Sequence, residues 1–264
     1  MNIAVCVKPV PDPKSYDKIT INPETKLLER NKIPMVINPT DKHAIEAAIQ
    51  LKELYGGKVI LISMAPPGAK EVLKDGLAMG VDEAYLLSDR FFAGADTFVT
   101  AKTLATGLKK IENFDLVFAG SESADGGTSH VPSQLGEMLG IPHLNHVMAL
   151  VMEDGILKIK TKIENGYMDY EGRLPMVLGV VREINTPRYI PLMGVIQAQG
   201  KPFTVWGLND LQLDPAVVGL AGSPTKPGSL HTPPLGRKVE MLDGELEKVA
   251  EKIIVVLHSA GLLS

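Results

Sequence analysis

The sequence has little of several features that would assign it to a class. It contains one cysteine, Cys6, among 264 residues, so an internal disulfide is excluded and a reducing compartment is indicated. No apolar run approaches the roughly 18 residues that a membrane helix needs. The net charge of −4 shows no basic excess, so neither nucleic acid nor an anionic membrane is indicated as a partner. We therefore expect a cytoplasmic protein without a membrane segment and without a nucleic-acid partner.

Aromatic residues are also scarce, at 5% of the chain, and Trp206 is the one tryptophan. The core must therefore be built from Val, Ile, Leu, Ala and Met, which suits buried parallel strands between helices. Apolar strand patterns at residues 3–7, 58–64, 84–87 and 116–119 alternate with helix patterns at 41–55, 69–79, 97–111 and 133–139. This order predicts an α/β fold, a mostly parallel sheet with helices on both faces.

The pattern changes after residue 147. Three alternating segments around two turns, the second containing Asn165-Gly166, predict a small antiparallel portion. Residues 176–181 read as one more buried strand, and prolines and glycines recur from Thr186 onward. Residues 214–236 hold five prolines and four glycines, which indicates an extended arm. We predict a nucleotide-binding domain over residues 1–213 and, over 214–264, an arm with a terminal helix at 246–258 that packs on another subunit or folds back on its own domain.

The loop at residues 120–131 is the strongest candidate site. It follows a buried strand, is rich in Gly, Ser and Thr, and leads into a helix. Loops of this kind bind phosphate, because their backbone N–H groups and the helix dipole both point at an anion. The loop lacks the lysine of a P-loop, and the chain has no GxGxxG. The sequence therefore predicts nucleotide binding without phosphoryl transfer, although a surface loop alone would have the same composition.

Two more loops stand between a strand and a helix. In the first, Asn38-Pro39-Thr40-Asp41, Thr40 or Asp41 is expected to cap the following helix, and such a helix start can also hold a phosphate or a ribose. The second spans residues 88–100, where Arg90 could pair with phosphate through two bonds. Because parallel strands end at one edge of the sheet, we expect all three loops to converge there.

In the second of these loops, Asp96 or Thr97 is expected to cap the next helix, and the hydroxyls of Thr97 and Thr100 could face a ligand. Elsewhere, catalytic patterns are absent from the sequence. The six histidines show no HExxH spacing, one cysteine excludes cysteine-rich zinc sites, and GxSxG does not occur. We therefore predict no catalytic side chain and no metal site, and any reactive chemistry would come from a cofactor.

At this point the motifs resemble the beta subunit of electron transfer flavoproteins, over about residues 1–226. The matching stretches are CVKPVPD (6–12), NPTDKHAIEAAIQLKE (38–53), LAMGVDEAYLL (77–87) and VREINTPRYIPLMGVIQA (181–198). The resemblance implies an adenine-nucleotide α-hydrolase-like fold and a heterodimer with an alpha subunit that carries FAD. An ATP pyrophosphatase, the related enzyme class, would need an SGGxDS loop where Lys8-Pro9-Val10-Pro11 stands, and a universal-stress-type nucleotide sensor would not need the long arm.

Two further stretches resemble the electron-bifurcating branch of that family: DRFFAGADTFVT (89–100) and LAGSPTKP (220–227). This implies FAD in the beta subunit, NADH as the electron donor, and a ferredoxin-type acceptor together with a higher-potential one. Oxidoreductase activity would belong to the complex. The alternative is a non-bifurcating subunit with structural AMP that carries electrons from acyl-CoA dehydrogenase-type partners or to a quinone-linked oxidoreductase.

The resemblance also implies roles for individual residues. Those placed around the adenosine part are Cys6, Asn38, Thr40, Asp41, Met64 and Gly120. Those matching the phosphate-binding loop are Asp125, Gly126, Gly127, Thr128, Ser129 and Val131. Those expected at the flavin end or its phosphates are Arg90, Asp96, Thr97 and Thr100.

Leu192 matches the leucine of the family's recognition loop and is expected to insert into partner dehydrogenases. The phosphate-binding loop departs from the family pattern at four positions: Ser121, Glu122, Gly127 and His130. Glu122 places a carboxylate where the pattern has an amide, which is unfavourable beside a pyrophosphate unless the side chain points away or meets a hydroxyl or amine donor.

Overall fold

The computed structural model describes residues 1–18, 33–111, 113–226, 228 and 239–263. Two compact units are present, Met1–Gly228 and Ser229–Ser264. In the first unit the helices are α1 (Pro39–Tyr55), α2 (Ala69–Met79), α3 (Thr97–Ile111), α4 (Val131–Leu139), α5 (Leu192–Ala198) and α6 (Gly219–Gly222). Its strands are β1 (Asn2–Cys6), β2 (Pro9–Pro11), β3 (Met35–Ile37), β4 (Lys58–Met64), β5 (Glu83–Leu87), β6 (Leu116–Gly120), β7 (His143–Glu153), β8 (Ile156–Ile163), β9 (Gly166–Gly172), β10 (Met176–Val180) and β11 (Phe203–Trp206).

Nine of these strands form one sheet in the order β11-β5-β4-β1-β6-β10-β7-β8-β9. All neighbours from β11 to β7 are parallel, and β7, β8 and β9 pair antiparallel. The chain runs outward from β1 through β4 to β5 and then returns to the other side of β1 as β6. This reversal opens a crevice at the carboxyl ends of β1, β4 and β6, where ligands bind in open α/β sheets. The predicted α/β fold class is confirmed.

The apolar strand patterns arise because the central strands are covered on both faces. In β1, Ile3 and Val5 pack into one core cluster with residues of α1 and α2. Ala4 and Cys6 alternate to the other face, where α3 and α4 pack. Apolar residues of the central strands therefore face both layers of helices, rather than only one face of the sheet.

Two elements lie where the sequence predicts only proline- and glycine-rich chain. Helix α5 packs against α2, and Gly194 sits so close to it that a Cβ there would lie 2.2 Å from the carbonyl oxygen of Ala78. Strand β11 pairs parallel with β5 and extends the sheet at its edge. Both elements are short, seven and four residues, and tertiary contacts stabilise them more than local pattern does.

The first compact unit includes the beginning of the predicted arm. Residues 214–226 belong to the first unit, where the Leu220 N–H donates to the Ala93 carbonyl at 2.9 Å. Part of the predicted arm, residues 227 and 229–238, lies outside the described residues. In the second unit, α7 (Leu246–Ser259) is an amphipathic helix, and its packing on another subunit stays a prediction. Across the described residues, no helix combines the length and apolar character needed to cross a membrane.

Candidate functional site

A cavity of about 1270 Å³ opens at the carboxyl ends of β1, β4 and β6. It exceeds the roughly 300–1,000 Å³ of ordinary small-molecule pockets. The three strand-to-helix loops all reach it. The predicted site residues that line it are Cys6, Asn38, Asp41, Met64, Arg90, Asp96, Thr97, Thr100, Gly120, Gly126, Thr128, Ser129 and Val131. Thr40, Asp125 and Gly127 do not line it.

Asp41 ties the floor of this cavity together. Its Oδ2 accepts from the backbone N–H of Lys8 at 2.7 Å, and its Oδ1 accepts from the N–H of Gly120 at 3.0 Å and from Asn38 Nδ2 at 2.9 Å. The carboxylate thus joins the ends of β1 and β6 to the start of α1. Burial raises the pKa of Asp41 to about 7, while these N–H donors act in the opposite direction.

The expectation that Thr40 or Asp41 caps α1 is wrong. The N-cap residue is Asn38, and its side chain makes no capping bond. Thr40 Oγ1 instead donates to the Glu122 carbonyl at 2.6 Å, and Asn38 Oδ1 accepts from the Ala124 N–H at 3.0 Å. Both side chains therefore bind the backbone of the loop after β6 instead of the first turn of α1. Thr40 stabilises that loop and does not line the cavity.

A side chain has no room at Gly120, where β6 ends and the loop begins. A Cβ there would lie 2.4 Å from both Asp41 Oδ1 and Thr40 Oγ1. Contacts this short are not tolerated, so the close approach of β6 to α1 requires glycine. The Gly120 N–H consequently reaches the Asp41 carboxylate directly.

The end of the loop has backbone features of an anion-binding nest. Gly127 and Ser129 both have positive φ, +57° and +56°, and the segment runs directly into α4. In the described part of the chain, the backbone N–H groups of Thr128, Ser129 and His130 have no protein acceptor. Consecutive free N–H groups at a helix start favour phosphate. Ser129 is held in its unusual conformation in part by Asn145, whose Nδ2 donates to the Ser129 carbonyl at 2.9 Å.

Lys8 is a cavity residue that the sequence analysis missed. It follows β1, and its Nζ lies 2.6 Å from Asp125 Oδ1 and 3.3 Å from Ser123 Oγ. Burial alone would raise the pKa of Asp125, but the Lys8 ammonium and the hydrogen bonds lower it. Asp125 therefore braces the loop through Lys8 and does not line the cavity itself. Lys8 follows strand β1, just as each of the three loops follows a strand. This position was the signal that could have marked Lys8 as a site residue.

Arg90 provides positive charge on the other side of the cavity. The Asp89 carboxylate accepts from the N–H groups of Phe91 and Leu208, at 3.1 and 3.0 Å, and thereby fixes the turn that carries Arg90. The guanidinium lies over the Phe91 ring, 4.9 Å from its centroid. It forms no ion pair within the part of the chain that the structure describes, so an anion can use all of its donors.

Asp96 has both of its oxygens occupied by the protein. Oδ1 accepts from the Val99 N–H at 3.0 Å, which confirms Asp96 as the cap of α3. Oδ2 accepts from the N–H and the hydroxyl of Thr225, at 3.0 and 2.8 Å. Thr225 also lines the cavity. The resemblance at residues 220–227 covers it, but gave it no role in the site. Asp96 thus fastens residues 219–226 beside the cavity.

Leu192 begins α5 and is 78% exposed. Tyr189, Met193 and Ile196 are exposed beside it. These four large apolar side chains lie on α5 or in the chain just before it, and exposed apolar patches often mark interaction sites.

Comparison with known proteins supplies the family. Residues 25–211 match the family model of the electron transfer flavoprotein domain. This chain belongs to the electron transfer flavoprotein family. It is 40% identical to the electron transfer flavoprotein subunit beta of Thermoanaerobacterium thermosaccharolyticum over the full length of both chains.

Two more relatives are subunits of reductase systems. The chain is 42% identical to the caffeyl-CoA reductase-Etf complex subunit CarD of Acetobacterium woodii, again over the full length of both chains. It is 34% identical to the acryloyl-CoA reductase electron transfer subunit gamma of Anaerotignum propionicum, over 96% of this chain and 97% of that one. The resemblance to beta subunits of electron transfer flavoproteins is therefore confirmed, and electron transport is the family's role.

Proposed function

We propose that this beta subunit binds FAD in the cavity between the loop at 120–131 and the loop at 88–100, and that it pairs with an FAD-containing alpha subunit to bifurcate electrons from NADH. One electron of each pair goes to a ferredoxin-type acceptor and the other to a higher-potential acceptor through the alpha subunit. The observation that carries the proposal is the extent of the cavity. It continues past the phosphate-binding nest to Arg90, Asp96 and Thr225.

The donors present suit a dinucleotide with two phosphates. Thr128, Ser129 and His130, with their free N–H groups, line the cavity in the loop after β6, and Arg90 lines it in the loop after β5. The nearby acids are satisfied by protein donors, as Asp41, Asp89, Asp96 and Asp125 show. Apart from Glu122, a pyrophosphate therefore meets free donors rather than free carboxylates.

When bound, a flavin supplies hydride acceptance and single-electron transfer, chemistry that no side chain provides. The chain's own residues bind and orient the cofactor. The nest and Arg90 hold the phosphates, Asp41 keeps three loops in register, and Asp96 keeps Thr225 against the flavin side. The absence of catalytic patterns in the sequence agrees with this division of labour.

Structural AMP is the second candidate, and Glu122 favours it. Its carboxylate lines the cavity, and within the described residues its one hydrogen-bond partner is Ser129 Oγ at 3.4 Å. A ribose hydroxyl or an adenine amine would satisfy this carboxylate, whereas a second phosphate beside it would be repelled. In that case the protein would shuttle electrons without bifurcating them.

An anaerobic titration of the purified heterodimer with NADH tests bifurcation. We expect NADH to bleach the absorbance of both flavins, with the beta-site flavin accepting the hydride. If NADH reduces no flavin while a chemical reductant reduces one, the non-bifurcating alternative is correct.

Thr225→Val should weaken retention of the cofactor by about threefold to tenfold, because Asp96 loses a hydroxyl donor and the 219–226 segment is less firmly held. Dissociation of FAD during dilution, followed by flavin fluorescence, measures this. Thr106→Val is the matched control, since the Thr106 hydroxyl donates to the Lys102 carbonyl on α3 and lies outside the cavity. Equal retention in the two variants would show that the Asp96–Thr225 contact serves only the fold.

Leu192→Ala should weaken docking of the electron-transfer partner and leave bound nucleotide unchanged. Truncating an exposed apolar anchor at an interface typically costs about 1–2 kcal/mol or more, which corresponds to roughly a tenfold higher KM. Electron transfer with an acyl-CoA dehydrogenase as the probe partner measures this. Val205→Ala, on the exposed side of β11, is the control. If Leu192→Ala lowers both the bound nucleotide and the rate of electron transfer to a similar extent, Leu192 supports the fold instead of docking.

A further inference from the structure

Arg188 is the best-connected cation in the described chain. Its Nε and backbone N–H donate to Glu46 Oε2 at 2.8 and 3.1 Å, and its NH2 group donates to Glu46 Oε1 at 3.1 Å. The guanidinium also donates to both oxygens of Glu53, at 2.7 and 3.1 Å. Glu46 has a side-chain exposure of only 4%, so the contact is anchored in the interior. The function proposed above gives Arg188 no role.

The docking segment, defined as residues 189–196, follows Arg188 directly. It carries the exposed side chains of Tyr189, Leu192, Met193 and Ile196. From residue 185 to residue 191 the backbone has no helix or strand, so no ladder of backbone hydrogen bonds fixes this approach to α5. Side-chain contacts instead hold residues 185–191 in place, chiefly the hydrogen bonds from the Arg188 guanidinium to Glu46 and Glu53 of α1.

A second attachment lies on the other side of the segment. Lys201 Nζ donates to the carbonyls of Leu77 and Val81 at 2.8 and 2.6 Å, at the end of α2. Between the two attachments, Gly194 and Ala198 are buried against the protein. The apolar residues therefore face outward from a segment that is held at both ends and along its inner side.

We infer that Arg188 is a positioning residue for partner docking. Joined to both Glu46 and Glu53, it holds the docking segment in its binding-ready conformation without touching the partner. An apolar segment that is already ordered loses less conformational entropy when it enters a partner's pocket. Because α1 also carries Asn38 and Asp41 at its start, the same helix fixes both the cavity and the docking segment. This inference rests on the proposed docking role of Leu192.

The fork geometry explains why the residue must be arginine. A guanidinium presents donors in a plane that can meet two carboxylates at once, whereas an ammonium is a point charge. Arg188→Lys keeps a positive charge beside the buried Glu46 carboxylate, so that carboxylate stays neutralised. A lysine cannot keep the hydrogen bonds to both Glu46 and Glu53, so we expect the docking segment to become less ordered.

The test uses the purified heterodimer with its cofactors bound and the variants Arg188→Lys and Glu53→Gln. Arg173→Lys is the control, because Arg173 is exposed and pairs with no acid in the described chain. Hydrogen–deuterium exchange is measured over residues 189–198 and over the cavity loops. Electron transfer is measured with an acyl-CoA dehydrogenase as the probe, separating KM from kcat.

In Arg188→Lys we expect amide exchange over 189–198 to accelerate by about tenfold and the KM for the probe to rise by a similar factor, with kcat and flavin content unchanged. Glu53→Gln, which spares the Glu46 contact, should show the same changes at a smaller size. Unchanged exchange would overturn the inference, as would acceleration that extends equally to the cavity loops, since that is general loosening.

Failure of the docking proposal gives a different result. If Leu192→Ala leaves KM unchanged while Arg188→Lys still accelerates exchange over 189–198, the segment is positioned but does not dock this partner, and the proposed function is at fault. If Leu192→Ala raises KM and Arg188→Lys changes neither KM nor exchange, the role of Arg188 alone is wrong.

Discussion

Asp41→Ala is expected to lower the free energy of unfolding by about 3–5 kcal/mol and to abolish stable nucleotide binding. The substitution leaves the backbone N–H groups of Lys8 and Gly120 without an acceptor and removes one of the three acceptors of Asn38 Nδ2. Each buried donor left without an acceptor costs about 1–3 kcal/mol. The same donors fix three loops around the cavity, so the loss of stability and the loss of the site have one cause.

Urea unfolding and the flavin content of the purified complex measure the two effects. Asp154→Asn is a suitable control for Asp41→Asn, because Asp154 is exposed in a turn with φ of +50°, a conformation that asparagine tolerates. Asp41→Asn should also destabilise, since its amide group must face N–H donors on at least one side. A stable Asp41→Ala protein with full nucleotide content would contradict the assignment of Asp41 as the tie between loops.

The same carboxyl predicts a pH dependence. Burial raises the pKa of Asp41 in the fold to about 7, above the roughly 4 of an unfolded aspartate. Between those values the folded chain binds more protons than the unfolded chain, so the contribution of Asp41 to stability is present below about pH 4 and is lost as pH rises to about 7. The stability difference between the wild type and Asp41→Asn should therefore narrow over this range. A stability difference that widens between about pH 4 and about pH 7 would contradict a raised pKa of Asp41 in the fold.

Arg90→Gln should weaken FAD binding by roughly 10–100-fold without a change in unfolding free energy. Hydrogen bonds from a charged group contribute about 1.5–3 kcal/mol, and the Arg90 guanidinium supports no ion pair in the described fold that its loss would break. If the occupant were AMP held at the nest alone, Arg90 would lie beyond it and the substitution would change little.

Equilibrium binding to the cofactor-depleted heterodimer measures this, by flavin fluorescence for FAD and by calorimetry for AMP. Arg173→Gln, an exposed arginine on the hairpin side of the sheet, controls for the loss of one positive charge. Weakened FAD binding with unchanged AMP binding is the expected pair of results. Equal weakening of both would place Arg90 at the shared phosphate.

The strand–loop–helix pattern predicted the edge of the sheet where the cavity lies, but not which side chains face the cavity. Position after a strand places a residue at that edge because parallel strands end together. The direction of a side chain depends on its partners, which lie far away in sequence. Thr40 turns to Glu122 and Asp125 turns to Lys8, and no local pattern contains these pairings.

The fold was predictable where elements are long and apolar, and less so where they are short. Helix α3 begins and ends at the predicted residues, since its periodicity and capping signals agree. Helix α5 and strand β11 were missed because they are stabilised by α2 and β5 rather than by their own sequence. Thr225 was missed for the same reason, since contacts with Ala93 and Asp96, far away in sequence, hold its segment beside the cavity.

The nucleotide content of the purified heterodimer tests the central claim most directly. Acid releases the bound nucleotides, and chromatography with standards counts them per heterodimer. FAD in both subunits, with no AMP, is the result predicted by a cavity that extends from the nest to Arg90 and Thr225. One FAD and one AMP per heterodimer would contradict it and would assign the cavity to a structural mononucleotide.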